Sequence, residues 1–147
     1  MDRDATLSFI DEKWEPWFVE GLKEFIRIPN LSLMFDPEFQ TNGLIERAID
    51  LVDEYANRLE IVGLERHIFK GEGQNPLIVY VVPPTEGQTK NIMFYGHLDK
   101  QPYEEAWSEG LHPTEPIIRD GRLFGRGSSD DGYAAFSCLL AVKTAQV

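Results

Sequence analysis

The sequence predicts an α/β fold, a mixed and mostly parallel sheet flanked by helices, on three observations. Two long stretches in the first sixty residues carry apolar side chains at helical spacing. The run Leu77 to Val82 is continuously apolar and rich in β-branched residues, as a strand buried on both faces would be. A second run, Ile92-Met93-Phe94-Tyr95, leads through Gly96 to His97-Leu98-Asp99, which reads as a buried strand delivering polar groups at its C-terminal end.

The elements follow in order. From Thr6 to Ile28 the residues Phe9, Ile10, Trp14, Trp17, Phe18, Leu22, Phe25 and Ile26 fall three, four or seven apart, so one helix face is buried. Pro16 either opens the main helix or kinks a longer one, and Pro29 stops it before a loop over residues 30–42. A second helix is expected from Gly43 to Val62, with Leu44, Ile45, Ala48, Leu51, Val52, Tyr55 and Leu59 inward and Gly63 at its end. Residues 64–69 form a short strand, and Pro83-Pro84 close the interior strand over residues 77–82. Residues 101–116, with Trp107, His112 and three prolines, are irregular. Around Asp120-Gly121 the flanking triplets Ile117-Ile118-Arg119 and Arg122-Leu123-Phe124 make a hairpin, because Asp-Gly accepts the positive φ of a two-residue turn. A last helix begins at Tyr133. Leu139 to Val147 carry no capping glycine or proline, the pattern expected of a piece of something longer.

At 147 residues and 42% hydrophobic the chain can bury one core, so a single domain is expected. A net charge of -11 repels phosphate backbones and anionic lipid, which disfavours nucleic-acid and membrane partners. The single cysteine, Cys138, rules out an intrachain disulfide and suits a reducing compartment. Met1-Asp2-Arg3-Asp4 lacks the basic-then-apolar order of a signal peptide and no window has the length of a membrane span, so a cytoplasmic location is expected.

The chemistry concentrates in two stretches. On a strand His97 and Asp99 point to one face. A histidine and a carboxylate so placed serve as a metal ligand with its supporting acid, as two metal ligands, or as an acid–base pair. About thirty residues on, Gly125-Arg126-Gly127-Ser128-Ser129-Asp130-Asp131-Gly132 sets two adjacent acids in a glycine-rich turn before the last helix. An acid there can simply cap the helix, which accounts for one aspartate and leaves the other. Asp131 is read as half structural, and His97 with Asp130 as metal ligands. A dinucleotide site is disfavoured, since Asp130 stands where the third glycine of the fingerprint would be. Ser128 and Ser129 lack the nucleophile elbow, and Cys138 lies in an apolar helical run where a buried structural thiol is expected. His67 and His112 read as surface or loop residues, and Trp14, Trp17 and Trp107 as packing residues.

Together, Tyr95-Gly96-His97-Leu98-Asp99-x-Gln101-Pro102 and Leu123-Phe124-Gly125-Arg126-Gly127-Ser128-Ser129-Asp130-Asp131, with Trp107 and the Asp120-Gly121 hairpin between them, resemble the paired signatures of the dinuclear zinc metallopeptidases. That family includes carnosine-type dipeptidases, aminoacylases, glutamate carboxypeptidases and succinyl-diaminopimelate desuccinylase. The resemblance implies a zinc-exopeptidase-like fold of which residues 1–147 are the N-terminal portion of the catalytic domain. It implies two zinc ions, or other divalent metals, with His97 a ligand of one, Asp130 the carboxylate bridging both, and Asp99 the acid that orients the His97 ring for catalysis. A cis peptide between Asp130 and Asp131 is implied as well. Lys100 stands where the family usually has a small apolar residue, and Gly132-Tyr133 where Lys-Gly is commoner. The family's Glu-Glu pair, second Asp ligand, final His ligand and dimerisation domain would all lie beyond Val147, so the expectation is an incomplete, inactive fragment of a homodimeric amide hydrolase. Its substrates would be small peptides, with N-acyl amino acids as the alternative. From another class, a non-catalytic binding module that keeps the fold is the competing expectation.

Overall fold

A computed structural model describes residues 2–103 and 106–147, so residues 104 and 105 of the irregular stretch expected over 101–116 lie outside the described ones. Helix α1 spans Arg3–Lys13, and its N-terminus is capped by the Asp2 carboxylate, which accepts from the Asp4 amide at 2.9 Å. The chain then widens into a π-helical segment, Trp14–Val19, and continues as α2, Glu20–Ile26. Pro16 therefore neither starts nor breaks the helix. Having no amide to give to the carbonyl four residues back, it sits where the winding loosens, and beyond it the Glu20 amide reaches the Glu15 carbonyl five residues back.

Helix α3, Leu44–Arg58, buries Ile45, Ala48, Ile49, Val52, Tyr55 and Ala56 along one stripe, the face its spacing predicted, and ends four residues short of the predicted Val62. Helix α4 spans Gly132–Thr144 and buries Ala134, Phe136, Leu139 and Leu140. The core lies where α2, α3 and α4 meet. At its centre Trp17, Tyr55 and Phe136 pack edge to face, with ring centroids 5.5 to 5.9 Å apart. The Trp17 indole donates to the Tyr55 carbonyl at 2.9 Å, so the ring is buried without an orphaned donor.

The strands depart from expectation. β1 (Glu65–Phe69) and β2 (Leu77–Val81) form one antiparallel pair, and β3 (Ile117–Arg119) and β4 (Arg122–Phe124) form another. The fold is α/β in the sense of helices with two small antiparallel sheets, and no parallel pair occurs among the described residues. Segments joined by a short loop pair antiparallel, whereas parallel pairing needs a crossover of a dozen or more residues, and only residues 82–91 separate β2 from the next apolar run. β2, expected as an interior strand, is a half-buried member of a hairpin. Residues 92–99, expected as a strand, join no ladder among the described residues, and Ile92, Met93 and Tyr95 stand exposed. The β1–β2 hairpin is fastened to α3 through Asp53, which accepts from both Arg66 and the Tyr80 hydroxyl. Burial, and then Asp53, push the Tyr80 pKa up and keep that hydroxyl a donor.

The β3–β4 hairpin is as predicted, with Asp120 and Gly121 both at positive φ. Trp17 is buried as expected. Trp14 is not: it is about half exposed and stacks on Phe18 with centroids 4.6 Å apart. No described helix is long and apolar enough to cross a membrane.

Candidate metal centre

Two segments converge at the C-terminal end of α2. The first is the loop that carries His97 and Asp99. It is held from residues 30–32: the Asn30 side-chain amide donates to the Leu98 carbonyl at 2.6 Å, and the Ser32 amide to the Lys100 carbonyl at 2.9 Å. The second is the turn over residues 125–131, which passes so close to α2 that side chains are excluded from it. A Cβ on Gly132 would lie 2.3 Å from Phe25 Cε1 and 2.6 Å from the Gly127 carbonyl. At Gly127, with φ near +87°, a Cβ would lie 2.8 Å from Lys100 Cε and 2.9 Å from Phe25 Cε1. The glycines of the second motif are thus what lets the turn dock against Phe25 and bring Asp130 toward His97.

The resulting geometry is simple. His97 Nδ1 lies 3.1 Å from both the Asp99 carbonyl and Asp99 Oδ1, and Nε2 lies 3.1 Å from Asp130 Oδ1. Burial disfavours a charged ring, but the Asp99 carbonyl and then the carboxylates of Asp99, Asp130 and Asp131 outweigh it and raise the His97 pKa. Acceptors face both ring nitrogens; a proton on Nδ1 can be held by Asp99, and Nε2 is then the nitrogen that a metal shared with Asp130 would take. The peptide between Asp130 and Asp131 is cis, as the resemblance implied. Asp131 occupies the N-cap position of α4 but makes no capping hydrogen bond through its side chain.

Nitrogen and carboxylate arms of 2.0–2.2 Å around a tetrahedral zinc put neighbouring donor atoms roughly 3.4 Å apart. The separation of Nε2 from Asp130 Oδ1 is close to that edge, so this pair fits two corners of one such site. Asp99 sits on the far side of the ring and does not reach the same point. Among the described residues no three His, Cys, Asp or Glu side chains converge to hold an ion.

Residues 93–146 match the model of Peptidase family M20/M25/M40. This segment belongs to that family. Relatives extend the likeness beyond it. The chain is 28% identical over 127 residues to an uncharacterized metallohydrolase of Methanocaldococcus jannaschii, covering 82% of this chain and 30% of that protein. It is 28% identical over 134 residues to the Beta-Ala-His dipeptidase of Rattus norvegicus, covering 86% of this chain and 27% of the relative. With an acetylornithine deacetylase of Myxococcus xanthus it shares 32% identity over 104 residues, 67% of this chain and 27% of that enzyme. The chain therefore spans less than a third of the length of these curated relatives. An M20/M25/M40 segment implies a metal cofactor, and the donor types gathered at His97 and Asp130 agree with one.

Lys100 and Asn30 are the residues here whose part the sequence did not disclose. Lys100 registered only as an unusual residue after His-x-Asp, and Asn30 only as part of a loop; both are buried. His67 and His112 are exposed, as expected.

Proposed function

We propose that these residues form part of the metal centre of a zinc-dependent hydrolase that cleaves amide bonds in small peptides, in the manner of a dipeptidase or carboxypeptidase. The observation that carries this reading is the placement of His97 Nε2 beside Asp130 Oδ1, with Nδ1 engaged by Asp99. His97 and Asp130 would hold zinc, and Asp130, two-thirds exposed at its side chain, has a second oxygen free to bridge a second ion. Bound zinc would polarise the scissile carbonyl and supply hydroxide at neutral pH. Asp99 keeps the His97 ring in the orientation and tautomer a metal needs, and His97 gives up its Nε2 proton to the solvent when the ion enters. With only two ligands from this set, against the roughly four a zinc takes, the 147 residues alone bind zinc weakly and do not turn over substrate. Deacylation of N-acyl amino acids is the second reading, favoured by the likeness to the acetylornithine deacetylase.

The test is zinc binding and hydrolysis by the full-length protein, assayed on a dipeptide and on an N-acetyl amino acid. His97→Ala and Asp130→Ala are expected to remove zinc binding and turnover, and Asp99→Asn to weaken zinc by about 10–100-fold. Proton and metal compete for Nε2, so binding should weaken as pH falls through the raised pKa of His97. Unchanged zinc binding in both alanine variants would remove the reading, and turnover of only the acylated substrate would select the second.

A further inference from the structure

The Lys100 side chain is an ionisable group inside the core. The residue is 1% exposed, and its ammonium donates to the Phe25 and Ile28 carbonyls, both at 2.6 Å, while lying 4.0 Å from the centroid of the Phe25 ring. Ile28 precedes Pro29, where the helical run has ended, so its carbonyl has no helical amide to accept. The stem of the same side chain packs on Gly127, in the turn that carries Asp130. Its backbone carbonyl accepts from Ser32. One residue thus touches the end of α2, the loop over residues 30–32 and the second motif, and it follows directly on Asp99.

An apolar residue of similar volume would fill this position without taking an ammonium out of water, and buried ionic groups are commonly matched or bettered in stability by such replacements. What methionine could not do is fix the loop to two defined carbonyls. We propose that Lys100 is a positioning residue: its ties to Phe25 and Ile28 dock the His97–Asp99 loop and the Gly127 turn on one point, and so set the separation of His97 Nε2 from Asp130. The inference rests on the metal-centre reading for its consequence, and on geometry alone for the docking.

The experiment is Lys100→Met in the full chain, with two readouts. One is zinc affinity by competition with a chromophoric chelator. The other, without metal, is hydrogen exchange at the Ser32 amide, followed by NMR. Tyr55→Phe, which drops a hydroxyl contact with Glu24 in the helical core, is the control for lost stability without lost positioning. Lys100→Met should weaken zinc at least tenfold and deprotect Ser32 while the amides of α3 stay protected; the control should change neither. Wild-type zinc affinity together with wild-type Ser32 protection in Lys100→Met would overturn the proposal. If the unaltered chain binds no zinc but Ser32 is still deprotected in the variant, the docking stands and it is the metal reading that falls. Should Lys100→Met fail to fold, Lys100→Gln, whose amide nitrogen ends one bond short of the ammonium and so cannot reach both carbonyls, takes its place: weakened zinc and a deprotected Ser32 support the proposal, and no change in either overturns it.

Discussion

The helical half of the molecule and its extended half both contain strongly apolar runs, and these end in opposite states. Phe25, Ile26, Ala48 and Phe136 are fully buried among α2, α3 and α4, whereas Ile92 and Met93 are 81% and 91% exposed and Phe69 and Leu77 on the β1–β2 hairpin are more than half exposed. Helices satisfy their own backbones and need only a face to pack against, which three of them supply to one another. An extended segment needs a neighbour for its amides as well as for its side chains, and residues 92–95 have no ladder partner among the described residues. Hydrophobicity thus states a demand for burial without naming what meets it. His97 stands at the seam between the two halves, directly after the exposed run and three residues before the buried Lys100.

The contrast can be broken most forcefully in the core. Phe136→Ala removes the ring that meets both Trp17 and Tyr55, and should cost about 3–5 kcal/mol in a urea titration. Gly132→Ala should cost about 1–3 kcal/mol by overpacking, because the new Cβ collides with Phe25 and with the Gly127 carbonyl. It should also displace Asp130, so zinc affinity should fall with stability. A subtler handle is pH. Burial pushes the Lys100 pKa down to about 7, while the unfolded side chain titrates near 10.4. Between those values the unfolded chain binds the extra proton, so stability should rise with pH from about 7 toward 10, by no more than about 1.4 kcal/mol per pH unit. A neutral amine still has two N–H donors, enough for both carbonyls. Lys100→Met should flatten that rise, which comparison of the two urea series across pH would reveal. The smallest effect belongs to the extended half: Met93→Ala should leave stability within about 0.5 kcal/mol, since a side chain so exposed loses almost no contact.

What could be read from the sequence divides along the same seam. The stripes of α3 and α4 and the Asp120-Gly121 turn follow from local spacing and turn chemistry, and they stand close to where the pattern put them. Strand pairing is set by distant partners and by the length of the connection, so of the two apolar runs behind the expected parallel sheet one pairs in an antiparallel hairpin and the other joins no ladder among the described residues. The His97, Asp99 and Asp130 motif was legible because its residue types are chemically unusual together. The role of Lys100 was not, because a lysine ordinarily marks the surface and its partners here are backbone carbonyls, which have no letter in the sequence. Pro16 was legible as a disturbance, though not as a widened turn.

That widened turn has an effect on phase. Each residue of an α-helix advances the side-chain direction by about 100°, and a π turn slips one extra residue into the circuit. Three successive side chains, Trp17, Phe18 and Val19, consequently face inward, while α1 upstream buries none of its own. The first eleven helical residues are a lever whose angular setting is decided at Pro16, so deleting one residue of Trp14–Val19 should rotate the whole of α1 against the core while leaving α2 seated.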